Sequence, residues 1–180
     1  MSLKRLVYRG GQFHRHLASR PAPVGLAEAR RILTPTQMEL FLQMQAGEQV
    51  HSLEVFKRLE EQGETDADLQ AAALLHDAGK VRFPLTIWER TWIVLVKNLF
   101  PGRFRVWGSA SGKLDVLPWW QRACAVAVQH PAWGAELAQA AGCSAKTVAL
   151  IRRHQEQNLR HPQSDEDRLL LKLQAVDDQS

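Results

Sequence analysis

From Thr36 onward the apolar residues of this chain recur at helical rather than strand spacing, and the same stripes carry histidines and aspartates. In "LQAAALLHDAGK" the residues Leu69, Ala72, Ala73 and His76 follow the i, i+3, i+4, i+7 pattern, which turns the imidazole toward the interior. Asp77 lies one step round the helix from it. An ionised carboxylate buried without a partner costs several kcal/mol, so Asp77 calls for a cation, a cluster of donors or a metal.

The pattern repeats along the chain. His51, Val55 and Leu59 share one face; Ala123, Val126, Ala127 and His130 share another; so do Thr147, Leu150, Ile151 and His154, and finally Leu170, Leu173 and Asp177. One histidine on an apolar stripe is usually a hydrogen-bonded core residue. Four histidines and two aspartates on the inner faces of five helices are another matter. They are costly to satisfy one by one, whereas a shared metal centre uses all their lone pairs together.

The spacing predicts an all-α fold, with helices over residues 36–61, 66–78, 84–99, 117–129, 132–141, 145–158 and 165–178. Residues 1–35, broken by Gly10–Gly11 and "RPAPVG", read as an N-terminal arm with at most short helices, and 36–180 as one domain. Thr65 or Asp66, Ser144, and Ser164 or Asp165 are the expected caps, and Pro131 suits the opening position of a helix. The Gly and Pro residues near 101–112 mark the longest loop.

Cys124 and Cys143 are too far apart for a redox or zinc pair and sit among alanines as small apolar residues do, which suits a reducing cytoplasm. No stretch approaches the ~20 apolar residues of a membrane span, and the first residues lack the apolar segment of a secretory signal. The net charge of +4 suits phosphorylated substrates, anionic membranes or nucleic acid without choosing among them. The arginines at 5, 9, 15 and 20 make the arm positive, and His14, His16 and His161 lie off every stripe and read as surface residues.

The ordered set His51, His76–Asp77, His130, His154, Asp177 resembles the HD-domain superfamily of metal-dependent phosphohydrolases. "LLHDAGK" is similar to the HD-x-GK signature, "HPAWGAELAQAAG" to the histidine-proline-glycine segment of the two-metal members, and "LKLQAVDD" to the helix supplying the last aspartate. The likeness covers roughly residues 36–178. It implies an HD-type helical bundle in which His51, His76, Asp77 and Asp177 hold one divalent transition metal, His130 and His154 hold a second, and Asp77 bridges them. Iron, manganese, zinc and nickel all suit such ligands. A metal-bridging hydroxide would then attack a phosphomonoester or phosphodiester, with a nucleotide as the expected small-molecule substrate.

The resemblance also gives Lys80 a catalytic part beside Asp77, its side chain meeting the anionic substrate. Arg82, Arg152 and Arg153 offer phosphate contacts or plain surface charge. The cyclic-dinucleotide phosphodiesterases called HD-GYP carry a glycine-tyrosine-proline motif that "RRHQEQNLRHP" lacks, which argues against cyclic di-GMP. Trp88, Trp92, Leu95, Val96 and Leu99 form a stripe read first as core or pocket lid. The weaker reading of that helix is peripheral membrane contact, with Arg90, Lys97, Arg103 and Arg105 near lipid headgroups. Sequence-specific nucleic-acid binding is not expected, and oligomeric state is open. The alternatives are a di-iron oxygenase of the HD fold and a nucleotide-sensing module without turnover.

Overall fold

The structure is a computed structural model that describes residues 21–110, 112–157 and 162–179. Arg5, Arg9, Arg15, Arg20, His14, His16 and His161 lie outside the described residues. Among the described residues the fold is all-α, with nine α-helices and two short 3-10 turns. In order these are α1 (Pro23–Ile32), α2 (Pro35–Gln43), α3 (Ala46–Glu61), α4 (Ala67–Leu75), the turn Ala78–Arg82, α5 (Ile87–Leu99), α6 (Pro101–Gly108), the turn Leu114–Val116, α7 (Trp119–Ala140), α8 (Ala145–Arg153) and α9 (Asp165–Asp177).

The core gathers around α4, which packs against α3, α8 and α9. Its Ala71, Ala72 and Ala73 let those neighbours approach closely, while Leu69, Leu74 and Leu75 interlock with Phe41, Phe56, Leu59, Leu150, Ile151, Leu170 and Leu173. Helix α1 adds Ala29 and Leu33 to the same core, so residues set off by sequence with the N-terminal arm contribute to the packed interior. Asp66, Ser144 and Ser164 accept from the backbone amides of Leu69, Thr147 and Asp167 at the expected helix starts.

Four sequence expectations are corrected. The single helix over residues 36–61 is two, broken where Met44 and Gln45 turn extended. Gln49 satisfies the break, its side-chain amide donating to the carbonyls of Met44 at 2.8 Å and Leu42 at 3.3 Å. The loop near 101–112 is largely helix α6, because Pro101 sits in the first turn, where its fixed φ and missing N–H cost nothing. Pro131 does not open a helix; it lies inside the continuous α7. The turn Ala78–Arg82 packs against α7 there, and that burial offsets the helical hydrogen bond the proline cannot make.

The fourth correction concerns α5. Trp88 is 79% exposed, Leu99 66% and Leu95 42%, whereas the side turned inward carries Glu89, Arg90 and Val96. The reason is electrostatic. Arg90, read from sequence as a headgroup contact, is 4% exposed, and its guanidinium pairs with the buried carboxylate of Glu48 and donates to Gln45 Oε1 at 2.7 Å. That buried pair fixes the rotation of the helix and leaves Trp88, Leu95 and Leu99 of the stripe outside, while Val96 is buried and Trp92 packs against Leu85, Ala123 and Val126 as the core reading expected.

Candidate metal centre

Each candidate ligand comes from the end or inner face of a different packed element. His51 sits on α3, His76 caps α4, Asp77 opens the following turn, His130 lies mid-way along α7, His154 caps α8 and Asp177 ends α9. All six meet. His51 Nε2 is 2.9 Å from Asp177 Oδ1, His76 Nε2 is 3.5 Å from that oxygen and 3.6 Å from Asp77 Oδ2, His130 Nε2 is 3.2 Å from Asp77 Oδ1, and His154 Nε2 is 3.3 Å from His130 Nε2.

The donor atoms form two groups, His51–His76–Asp77 and Asp77–His130–His154, each within 4.8 Å and sharing Asp77. Asp177 joins the first through His51 and His76. Asp178 is the helix cap beyond it, so Asp177 is the aspartate aimed at the centre.

Three imidazoles are aimed by their own helices. The Nδ1 atoms of His76, His130 and His154 lie 2.9, 3.1 and 2.8 Å from the carbonyls of Ala73, Val126 and Ile151. A carbonyl can only accept, so each Nδ1 carries a proton and each Nε2 points inward, where a neutral ring presents a lone pair. Two such lone pairs face each other at 3.3 Å between His130 and His154, and His76 Nε2 is buried with no hydrogen-bond partner. These are the terms on which a cation fits the donor set.

The electrostatics agree. Burial pushes the His76 imidazolium down, yet the carboxylates of Asp77 and Asp177 outweigh it and lift the group to about 9. The same two carboxylates would attract a metal cation in place of that proton. His154 moves the other way, to about 3, through burial and the neighbouring imidazoles of His76 and His130. Asp77 and Asp177 are held well below the ordinary carboxylate range although burial opposes it; Lys80, His76 and His130 act on the first, His76 and His51 on the second.

Lys80 lines the cleft and is engaged there with two carboxylates. Its ammonium lies 2.6 Å from Asp77 Oδ2 and 3.2 Å from Glu48 Oε2, and the Glu48 carboxylate goes on to Arg90. Sequence reasoning missed Glu48 and Arg90. Glu48 precedes His51 by three on the same helix face, but an acidic residue there reads as surface charge until Arg90 is brought to it from α5. Arg82 pairs with Glu136 at 2.8 Å, and Arg153 clamps Glu156, Glu166 and Asp167, which spends both on structure; Arg152 is exposed.

The centre opens into a cleft of about 650 Å³. Its walls carry Lys97 and Phe104 alongside Arg105, with His130, His154 and Asp177 at the metal-type end.

The all-α bundle brings four histidines and two aspartates, from five helices and one turn, into a donor set of the kind that suits a metal ion. Residues 49–106 match the family model of the HD domain. The matched segment holds His51, His76, Asp77 and Lys80, while His130, His154 and Asp177 come from beyond it. No curated protein and no solved structure matches the chain.

Proposed function

We propose that this protein is a metal-dependent phosphohydrolase that cleaves an organic phosphoester, with nucleotides as the expected substrate class. The observation that carries the reading is the sharing of Asp77 by two three-residue donor groups at the end of an open cleft. HD domains belong mostly to metal-dependent hydrolases, which supports the same class. On this reading the catalytic domain is residues 36–180 together with α1.

Two divalent ions, of iron, manganese, zinc or nickel, suit the mixed imidazole and carboxylate set. Bound there, they supply Lewis acidity toward a phosphoryl oxygen and a water of lowered pKa. The chain's own residues do the rest. The three Nδ1–carbonyl bonds keep the His76, His130 and His154 rings from rotating away, and Lys80 holds the Asp77 carboxylate ionised and in place. Lys97 and Arg105, which make no ion pair among the described residues, offer charge to an anionic substrate along the cleft, and Phe104 offers an apolar surface to its organic part.

Elemental analysis of freshly purified protein, beside a panel of phosphomonoesters, phosphodiesters and nucleotides with several divalent metals, tests the proposal. Phosphate or nucleotide release that disappears in Asp77→Ala is the expected result. Copurified iron with oxygen consumption on an organic substrate would replace it with the oxygenase reading. No turnover on any substrate, with nucleotides still raising the melting temperature, would replace it with the sensing module.

A further inference from the structure

The outward side of α5 is an uncharged apolar surface. At 100° per residue, Ile87, Trp88, Val94, Leu95 and Leu99 fall with Thr91 and Asn98 in an arc of roughly 140°. All are exposed, and Phe100 and Val106 extend the surface round the corner into α6 at 56% and 69% exposure. Scattered exposed apolar residues need no explanation, but a contiguous face of this kind marks a binding surface.

The hairpin that presents this face is braced from behind. Trp92 stacks on Trp107, Trp107 meets Trp120 edge-on at 4.8 Å between ring centres, and Trp92 donates its indole N–H to the carbonyl of Trp120 at 3.0 Å. Trp88 takes no part in that cluster and stands out from it.

Along this stretch of sequence the charge has one sign: from Arg90 to Lys113 there are five Lys or Arg and no Asp or Glu. Arg90 is buried and Lys97 and Arg105 line the cleft, which leaves Arg103 and Lys113 exposed outside it. The Arg103 guanidinium lies 6.0 Å over the Phe100 ring, which sets a cation beside an aromatic at the end of the apolar face. A second copy of this chain docked face to face would oppose these cations with no carboxylate to pair them. A negatively charged lipid surface supplies both an apolar layer for the face and phosphates for its border.

We propose that the outer face of α5 and its corner with α6 dock this protein peripherally on an anionic lipid bilayer. Trp88 and Leu99 enter the headgroup–acyl boundary, and Arg103 beside Phe100 meets the lipid phosphates. The contact is a lateral one, since no helix among the described residues is long and apolar enough to cross a membrane. The proposal stands whatever chemistry the metal-type centre performs.

Co-sedimentation of the full chain with vesicles tests it, using phosphatidylcholine alone and phosphatidylcholine mixed with phosphatidylglycerol. The protein is expected to pellet with the mixed vesicles and to be released by salt. The double substitution Trp88→Ser, Leu99→Ser should weaken partitioning roughly tenfold or more through lost apolar burial. Arg103→Glu should weaken it on the mixed vesicles alone, and unchanged circular dichroism would establish that both variants fold. A wild-type chain that stays in solution with both vesicle types overturns the proposal. So does binding indifferent to these substitutions, or a dimer in sedimentation velocity that the double substitution dissolves.

Discussion

A Cβ built on Gly79 would lie 2.0 Å from the carbonyl oxygen of His130, so these two residues meet backbone to backbone. The contact sets the turn that follows Asp77 directly against the helix that carries His130, and so fixes the spacing of two of the candidate ligands. A Cβ there would also come within 2.7 Å of the Gly134 amide nitrogen, and neither backbone atom can swing aside. Gly79→Ala is therefore expected to exceed the ~1–3 kcal/mol typical of overpacking and to lower metal content with it. Gly134→Ala, whose nearest contacts start at 3.1 Å, should cost less. Thermal melts and elemental analysis of the two variants check the order.

Because Asp77 belongs to both donor groups, its removal should empty both sites. Asp77→Ala is expected to bring metal stoichiometry to background, whereas His51→Ala and His154→Ala should each lower it by about half, one from either group. Chelation of the wild type should lower its melting temperature, and metal return should restore it by mass action. Equal losses in all three variants would contradict two groups sharing one carboxylate.

The pair between Glu48 and Arg90 is almost fully buried, each side chain 4% exposed, and Lys80 leans on the same carboxylate. Glu48→Gln removes from the interior the carboxylate charge that Arg90 and Lys80 share. A loss of about 3–5 kcal/mol is expected from chemical denaturation, the range for breaking a buried pair from one side. A combined Glu48→Leu, Arg90→Leu change should recover much of that stability, since it removes both charges together.

Acid should loosen the link between α4 and α8. The Ser144 hydroxyl, helped by Lys146 and Thr147, holds Asp68 below its ordinary value of 3.8 against the opposing effect of burial. A carboxylate depressed in the folded state contributes its full stability above the unfolded value and loses it as pH falls through the folded one. Unfolding free energy should therefore drop as pH falls below 3.8, and Ser144→Ala should flatten that part of the profile. At neutral pH the same substitution, which also removes the cap of α8, should cost about 1 kcal/mol.

Helical periodicity made most elements legible in the sequence, and it failed where a particular contact took over. Nothing in the hydrophobic pattern marks residues 44–45 as a break; the carbonyls of Leu42 and Met44 are taken by the side chain of Gln49 on the next helix. Pro131 reads as a helix start until the turn at Gly79 is packed beside it. Trp88, Leu95 and Leu99 of α5 read as core with Trp92 and Val96 because hydrophobic pattern alone cannot see that Arg90, on the opposite side, has a buried carboxylate to meet.

The candidate ligands divide in the same way. The sequence by itself determined which side chains share a face, since 3.6-residue periodicity places His76 with Leu69 and Ala73, and His154 with Leu150 and Ile151, whatever the helices later pack against. Only the tertiary structure decided that those inward faces converge on one point, that Lys80 spends its charge on Asp77 and Glu48, and that the apolar side of α5 stays outside. Periodicity is a property of one helix, whereas a centre built from five helices and a turn depends on how they cross.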